Sequence, residues 1–359
     1  MKKIFSLIIV LFLSLFLAAC SEAEQTEEKT SSEEETSTEE ETVEKLEIYT
    51  TIFPLEDFAN KIGGDFVNVT NIVPVGGDAH SFEPSARDLI EIAEGDALIY
   101  NGAGLEGFVD SIIQTLESEE IEIVKASDGI VSLNEENNQG HEEEEEHDEH
   151  GHDSHAQEDD EHDEHNEHDE HSEEESEQED THDHGHDVDP HVWLDPMLAI
   201  TLAENIKDTL INLMPEQEEL FTANFDDVKA ELEVINEEFE VMIDDTAKDT
   251  FLVSHAGYGY WEDRYGLKQI GIAGMSPSND PSQRQLKEII DLADEYGLEY
   301  VMYEQNIPAK VAEIVKEEVG AESLYLHNLE ALVKEDIENN EDYFSLMRKN
   351  IEALAIALQ

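Results

Sequence analysis

The 359-residue chain has a single cysteine, Cys20, so it can form no intramolecular disulfide and no thiolate cluster to hold a metal. It is also short of cations. Nineteen Lys and Arg stand against 92 Asp and Glu, a formal net charge of −73. Phosphate backbones are bound by neutralising cations, so this balance argues against a nucleic-acid partner. Familiar catalytic patterns are missing from the sequence: no His-Glu-x-x-His, no Gly-x-Ser-x-Gly and no phosphate-cradling Gly-Lys-Ser/Thr loop. The apolar run Ile4–Leu17 falls short of the ~20 residues that a membrane-spanning helix needs.

That run does fit an export signal. Lys2 and Lys3 precede it, and the small residues Ala18 and Ala19 lead to Cys20. Leu17-Ala18-Ala19-Cys20 resembles the bacterial lipoprotein box, which implies removal of residues 1–19 and a lipid on the Cys20 thiol, anchoring the chain to the outer face of the cell membrane. Residues 20–45 are mostly Glu, Ser, Thr and Lys, too polar to offset ordering entropy, and read as a disordered tether.

Beyond the tether, strand-like and helix-like patterns alternate. Strands are expected at 46–50, 66–73, 97–100 and 121–124, with helices after Pro54, at 85–93 and at 105–116. A helix from Pro196 to Leu213 follows, and a second helical segment starts at Pro215. Its apolar residues Phe221, Phe225, Val228, Leu232, Ile235, Phe239 and Met242 form one stripe in steps of four and three. The alternation then resumes, with strands at 251–254, 269–272, 299–303 and 323–326 and a last helix at 342–358. The expected fold class is α/β: an N-terminal lobe (46–213), a linking helix (214–247) and a C-terminal lobe (248–359), each lobe a mostly parallel sheet flanked by helices. The long helix should limit hinge motion between lobes. Residues 134–187 interrupt the first lobe. Within them, 141–187 hold 12 of the chain's 16 histidines and 25 acidic residues, a composition that suggests a disordered loop binding several weak metal ions.

Four histidines lie outside that tract: His80, His191, His255 and His327. His80 follows a strand in the Gly-rich loop Val75–Ala79. His191 leads into a helix, and His255 ends the apolar run Phe251–Ser254. Ligands of open α/β sheets bind beyond the carboxyl ends of the strands, so these three can meet in one crevice. Neutral imidazoles suit Zn²⁺, and with no further cysteine the fourth ligand must be His or a carboxylate. Spacing alone does not name it. Asp78, Glu83 and Asp195 are candidates to orient the rings, or else to cap helices or sit at the surface.

Three ordered motifs carry a family resemblance that spans roughly 46–359. Gly76-Gly77-Asp78-Ala79-His80-Ser81-Phe82-Glu83-Pro84-Ser85, His191-Val192-Trp193-Leu194-Asp195-Pro196 and Phe251-Leu252-Val253-Ser254-His255-Ala256-Gly257-Tyr258-Gly259-Tyr260 resemble the ligand loops of the cluster A-I metal-binding proteins of ABC importers. The likeness continues through Gly274-Met275-Ser276-Pro277 and Asp280-Pro281-Ser282. It implies one zinc site between two lobes, with His80, His191 and His255 as ligands. His rather than Glu at position 255 points to zinc over manganese or iron. In the ZnuA/AdcA type a carboxylate near the last strand can complete the site, which here implies Glu330, with the adjacent His327 as rival and an exposed loop position as its ordinary alternative. The resemblance further implies a non-enzymatic monomer that delivers Zn²⁺ to a separate membrane-embedded permease. A zinc hydrolase using Glu83 as base and a surface adhesin of the same fold are the competing functions.

Overall fold

The computed structural model describes residues 45–133, 188–307 and 310–359. The export signal, the tether with Cys20 and the His-rich tract lie outside the described residues.

The first lobe is built on four parallel strands in the order β2-β1-β3-β4: β1 (Leu46–Thr50), β2 (Val67–Asn71), β3 (Ala97–Tyr100) and β4 (Glu122–Lys125). Helices α1 (Phe53–Gly63), α2 (Ala86–Ala93) and α3 (Val109–Leu116) alternate with them. Each start has a local cause. Pro54 opens α1, where a missing N–H costs nothing. Ser85 caps α2 in a box with Asp88. In β1, alternate residues Leu46, Ile48 and Thr50 are buried, the period-two pattern of a strand packed on one side.

Helix α4 (Pro196–Leu213) leads through a single turn at Pro215–Gln217 into α5 (Glu218–Asp244). All seven apolar-stripe residues of α5 are buried. Its 27 residues span about 40 Å, and it packs against α1 and α4 on one side.

The second lobe repeats the first. Strands β5 (Thr250–His255), β6 (Lys268–Ala273), β7 (Tyr300–Tyr303) and β8 (Glu322–Tyr325) are parallel in the order β6-β5-β7-β8. Helices α6 (Gly259–Tyr265), α7 (Gln283–Glu295), α8 (Lys310–Val319), α9 (Lys334–Asn339) and α10 (Tyr343–Ala357) complete it, and α5 packs on α10 and α6. Every residue of β5 is buried, as a central strand covered on both faces requires.

The two lobes share one hydrophobic core. It includes Ile48, Phe58 and Trp193 from the first lobe, the stripe of α5, and Phe251, Trp261 and Tyr343 from the second. Smaller clusters cover the outer face of each sheet.

One expected boundary is corrected. Helix α3 begins at Val109 rather than 105, because residues 101–106 form a loop with positive φ at Gly102, Ala103 and Gly104, closed by Glu106 accepting the N–H groups of Asn101 and Gly102. The long helical segment does open at Pro215, with one tighter helical turn at Pro215–Gln217 before α5 proper begins at Glu218. The short helix α9 is additional.

Candidate metal centre

The ligand atoms of His80, His191, His255 and Glu330 all lie within 4.8 Å of one another. They come from four separate elements. His80 is in the loop after β2, His191 precedes α4, His255 is the last residue of β5 and Glu330 follows β8. His191 and His255 are fully buried, and Glu330 is 2% exposed.

Each backbone is held by a specific acceptor. Asp78 accepts the N–H of His80 at 2.9 Å, Asp189 that of His191 at 2.9 Å, and Asn328 that of Glu330 at 3.1 Å. All three are Asx turns, in which a side-chain oxygen accepts from the residue two positions on. The fourth, His255, gives its N–H to Glu304 at 3.1 Å.

The rings are oriented in the same way. Nδ1 of His191 lies 2.8 Å from Asp189 Oδ1, and Nδ1 of His255 lies 2.7 Å from Glu304 Oε2. A carboxylate accepts only, so each Nδ1 carries the proton and each Nε2 presents a lone pair inward. The Nε2 atoms of His80 and His255 each stand 3.3 Å from Nε2 of His191. Glu330 Oε1 is 3.5 Å from His80 Nε2 and 3.8 Å from His191 Nε2. Ligands at ~2.0–2.1 Å from a tetrahedral zinc stand about 3.3 Å apart, so these four separations are near or somewhat above that spacing. Glu330 Oε1 has no hydrogen-bond partner among the described residues, although it is buried. Lone pairs and an unpaired carboxylate oxygen facing one point are repulsive unless a cation sits there.

The electrostatics are graded. Burial depresses the His191 pKa; Asp189 offsets this only in part, and His255 and His80 add to the depression. Burial also works against a charged His255, but the Glu304 carboxylate outweighs it and the pKa is raised. Burial would push Glu330 up, yet the neighbouring His80, with His191 and His255, pulls it down to about 2. Glu304 is itself fully satisfied. Ser254 donates to it at 2.6 Å and Tyr258 at 3.0 Å, the tyrosine hydroxyl being kept protonated by burial beside that carboxylate.

The three acids first nominated to orient the rings do not do so. Asp78 organises the His80 loop through backbone and Ser81 contacts. Asp195 caps α4 and pairs with Arg264. Glu83 is exposed. The ring partners are Asp189 and Glu304, both missed from sequence. The Asp-x-His spacing shared by 78–80 and 189–191 is the signal that marks Asp189. His327 lies outside the cluster and is buried, not exposed. Its Nδ1 accepts the Leu329 N–H at 2.9 Å and its Nε2 lies 3.1 Å from Asp336, so both ring nitrogens are engaged.

Two parallel-sheet lobes with a buried cluster of imidazoles and a carboxylate between them are the architecture of a two-lobed solute-binding protein. The family described as zinc-uptake complex component A, periplasmic, matches residues 48–357, and the chain belongs to that family. Zinc-binding lipoprotein AdcA of Streptococcus pneumoniae is 30% identical over 359 residues, 99% of this chain and 60% of that protein. The chain thus spans about 60% of the length of that relative. Among solved structures, the Zn(II)-bound ZnuA-like domain of Streptococcus pneumoniae AdcA is similar with a TM-score of 0.66 at 27% identity, covering 88% of this chain and 99% of that one. The laminin-binding protein Lmb of Streptococcus agalactiae, described as bifunctional with adhesin and metal transporting activity, is similar with a TM-score of 0.68 at 27% identity, covering 88% and 100%.

Proposed function

We propose that this chain is an extracytoplasmic zinc-binding protein that takes one Zn²⁺ between its lobes and delivers it to an ABC permease. The observation that carries the reading is the convergence of His80, His191, His255 and Glu330 on one buried point. Three neutral imidazoles and one carboxylate suit zinc, whereas manganese favours sites richer in oxygen. Family membership and a similar zinc-bound domain support the same cargo.

The role is capture, not catalysis: four protein ligands close the metal and leave no open position for a reactive water. The protein is a monomer, anchored on the outer face of the cell membrane by a lipid on Cys20. The His-rich tract at 141–187 holds additional, weaker zinc ions. The permease and its ATPase are separate proteins, and the zinc-loaded lobes are what docks.

Titration calorimetry with metal analysis, on the chain lacking residues 141–187, tests this. One tight Zn²⁺ per chain is expected, lost on His191→Ala. Tight binding that survives His191→Ala would move the site elsewhere.

A further inference from the structure

We propose that His327 is a positioning residue for the carboxylate of Glu330, acting on the metal site without touching the ion. This rests on the reading of Glu330 as a ligand.

The segment before Glu330 is held in a conformation that does not sustain itself. Leu329 has φ of 61°, the left-handed region that a branched, non-glycine residue disfavours. Its side chain is fully buried in the core, so the turn cannot relax outward. What fixes this turn is the imidazole of His327, whose Nδ1 accepts the Leu329 N–H at 2.9 Å. Since Nδ1 accepts, Nε2 carries the proton and donates to Asp336 Oδ2 at 3.1 Å. Asp336 in turn accepts the Val333 N–H at 2.8 Å, which ties the ring to the start of α9.

The backbone of His327 is clamped from the other side. Asn350 on α10 accepts its N–H at 2.7 Å and donates to its carbonyl at 2.8 Å. His327 is 3% exposed and Asn350 1%. Beyond the turn, Glu330 gives its N–H to Asn328 and its carbonyl accepts from Phe53 at 2.9 Å. The chain therefore enters the metal site through a relay from α10 and α9, and the His327 ring is the member that sets the left-handed residue. Its bond to the N–H two positions on is the one that Asx side chains make elsewhere in this site.

The test uses the full chain and Zn²⁺, with affinity read by competition against a chromophoric chelator that suppresses weak sites, and the visible spectrum of Co²⁺ placed in the tight site. His327→Asn keeps an acceptor for the Leu329 N–H and is expected to bind within about threefold of the parent. His327→Leu removes the acceptor and is expected to weaken binding about 10- to 100-fold, the range for partners that orient metal ligands. It should also shift the cobalt spectrum in the same direction as Glu330→Gln. Combined with Glu330→Gln, it should cost nothing further, because it acts through that carboxylate. Should His327→Leu fail to fold, His327→Gln, too long for this turn, is read in its place with the same expectation. Losses that add in full in the Glu330→Gln background, or unchanged affinity in His327→Leu, would overturn the positioning role alone. A Glu330→Gln variant that binds like the parent would overturn the ligand reading and this inference with it.

Discussion

Two carboxylates outside the ligand cluster decide how the imidazoles meet a cation. Asp189 and Glu304 hold the Nδ1 protons of His191 and His255, which turns both Nε2 lone pairs inward. Asp189→Asn and Glu304→Gln are each expected to weaken zinc binding about 10- to 100-fold while leaving the fold intact, as chelator competition would read. The Glu304 change carries a second signature. If His255 is a zinc ligand, as proposed, it must be deprotonated to bind, so affinity should fall as pH drops through that pKa. Because Glu304 raises it, the fall begins at a higher pH than a free imidazole, near ~6.5, would set. Glu304→Gln should therefore weaken zinc at pH 8 yet move the onset of the acid loss to lower pH. An unmoved onset would show that the carboxylate does not govern His255.

These residues also show what the sequence discloses. His80, His191 and His255 are legible because each sits in a recognisable loop at a strand or helix end. Asp189 was legible in principle, through the Asp-x-His spacing it shares with Asp78. Glu304 was not. It is 49 positions from His255, and only the parallel pairing of β5 with β7 brings them together. Val253 is opposite Met302, and the same register two residues on sets His255 beside Glu304. No local pattern encodes that neighbour.

Among the elements, α5 does the joining. Its stripe was readable from periodicity, and Phe239 shows its use. That ring stacks on Tyr265 at 4.7 Å and meets Trp261 at 5.1 Å, both on α6 of the second lobe. Phe239→Ala should cost about 3–5 kcal/mol of stability, read as a lower urea midpoint at unchanged slope. The loss should be felt by both lobes in one transition, since their core is continuous; two separated transitions in the parent would contradict that. Element boundaries were less legible where side chains compete with the helix. The start of α3 is displaced by Glu106, a buried acid whose bonds to Thr51, Asn101 and Gly102 close a loop instead. The short α9 has too few turns for a periodic signal.

Charge dominates the whole molecule. Outside residues 1–44 and 141–187 the chain still carries a formal −40. Like-charge repulsion of this size is relieved by screening, so the melting temperature should rise with added NaCl; a flat or falling curve would contradict that reading. The site concentrates the same problem, with Glu330, Asp189 and Glu304 all buried around neutral or partly charged rings. A Zn²⁺ bound there, as proposed, would relieve it. At a thousandfold excess over Kd, zinc should add about 4 kcal/mol to folding stability. The parent's melting temperature should rise by several degrees, and that of His191→Ala far less.

In the proposed site one zinc ion bridges donors drawn from four distant points of the chain. X-ray absorption at the zinc edge, on the full chain loaded with one equivalent, tests it most directly. Three imidazole nitrogens and one carboxylate oxygen at about 2.0 Å are expected, with that spectrum lost in His191→Ala. A six-coordinate, oxygen-rich shell, or the same spectrum in His191→Ala, would contradict it.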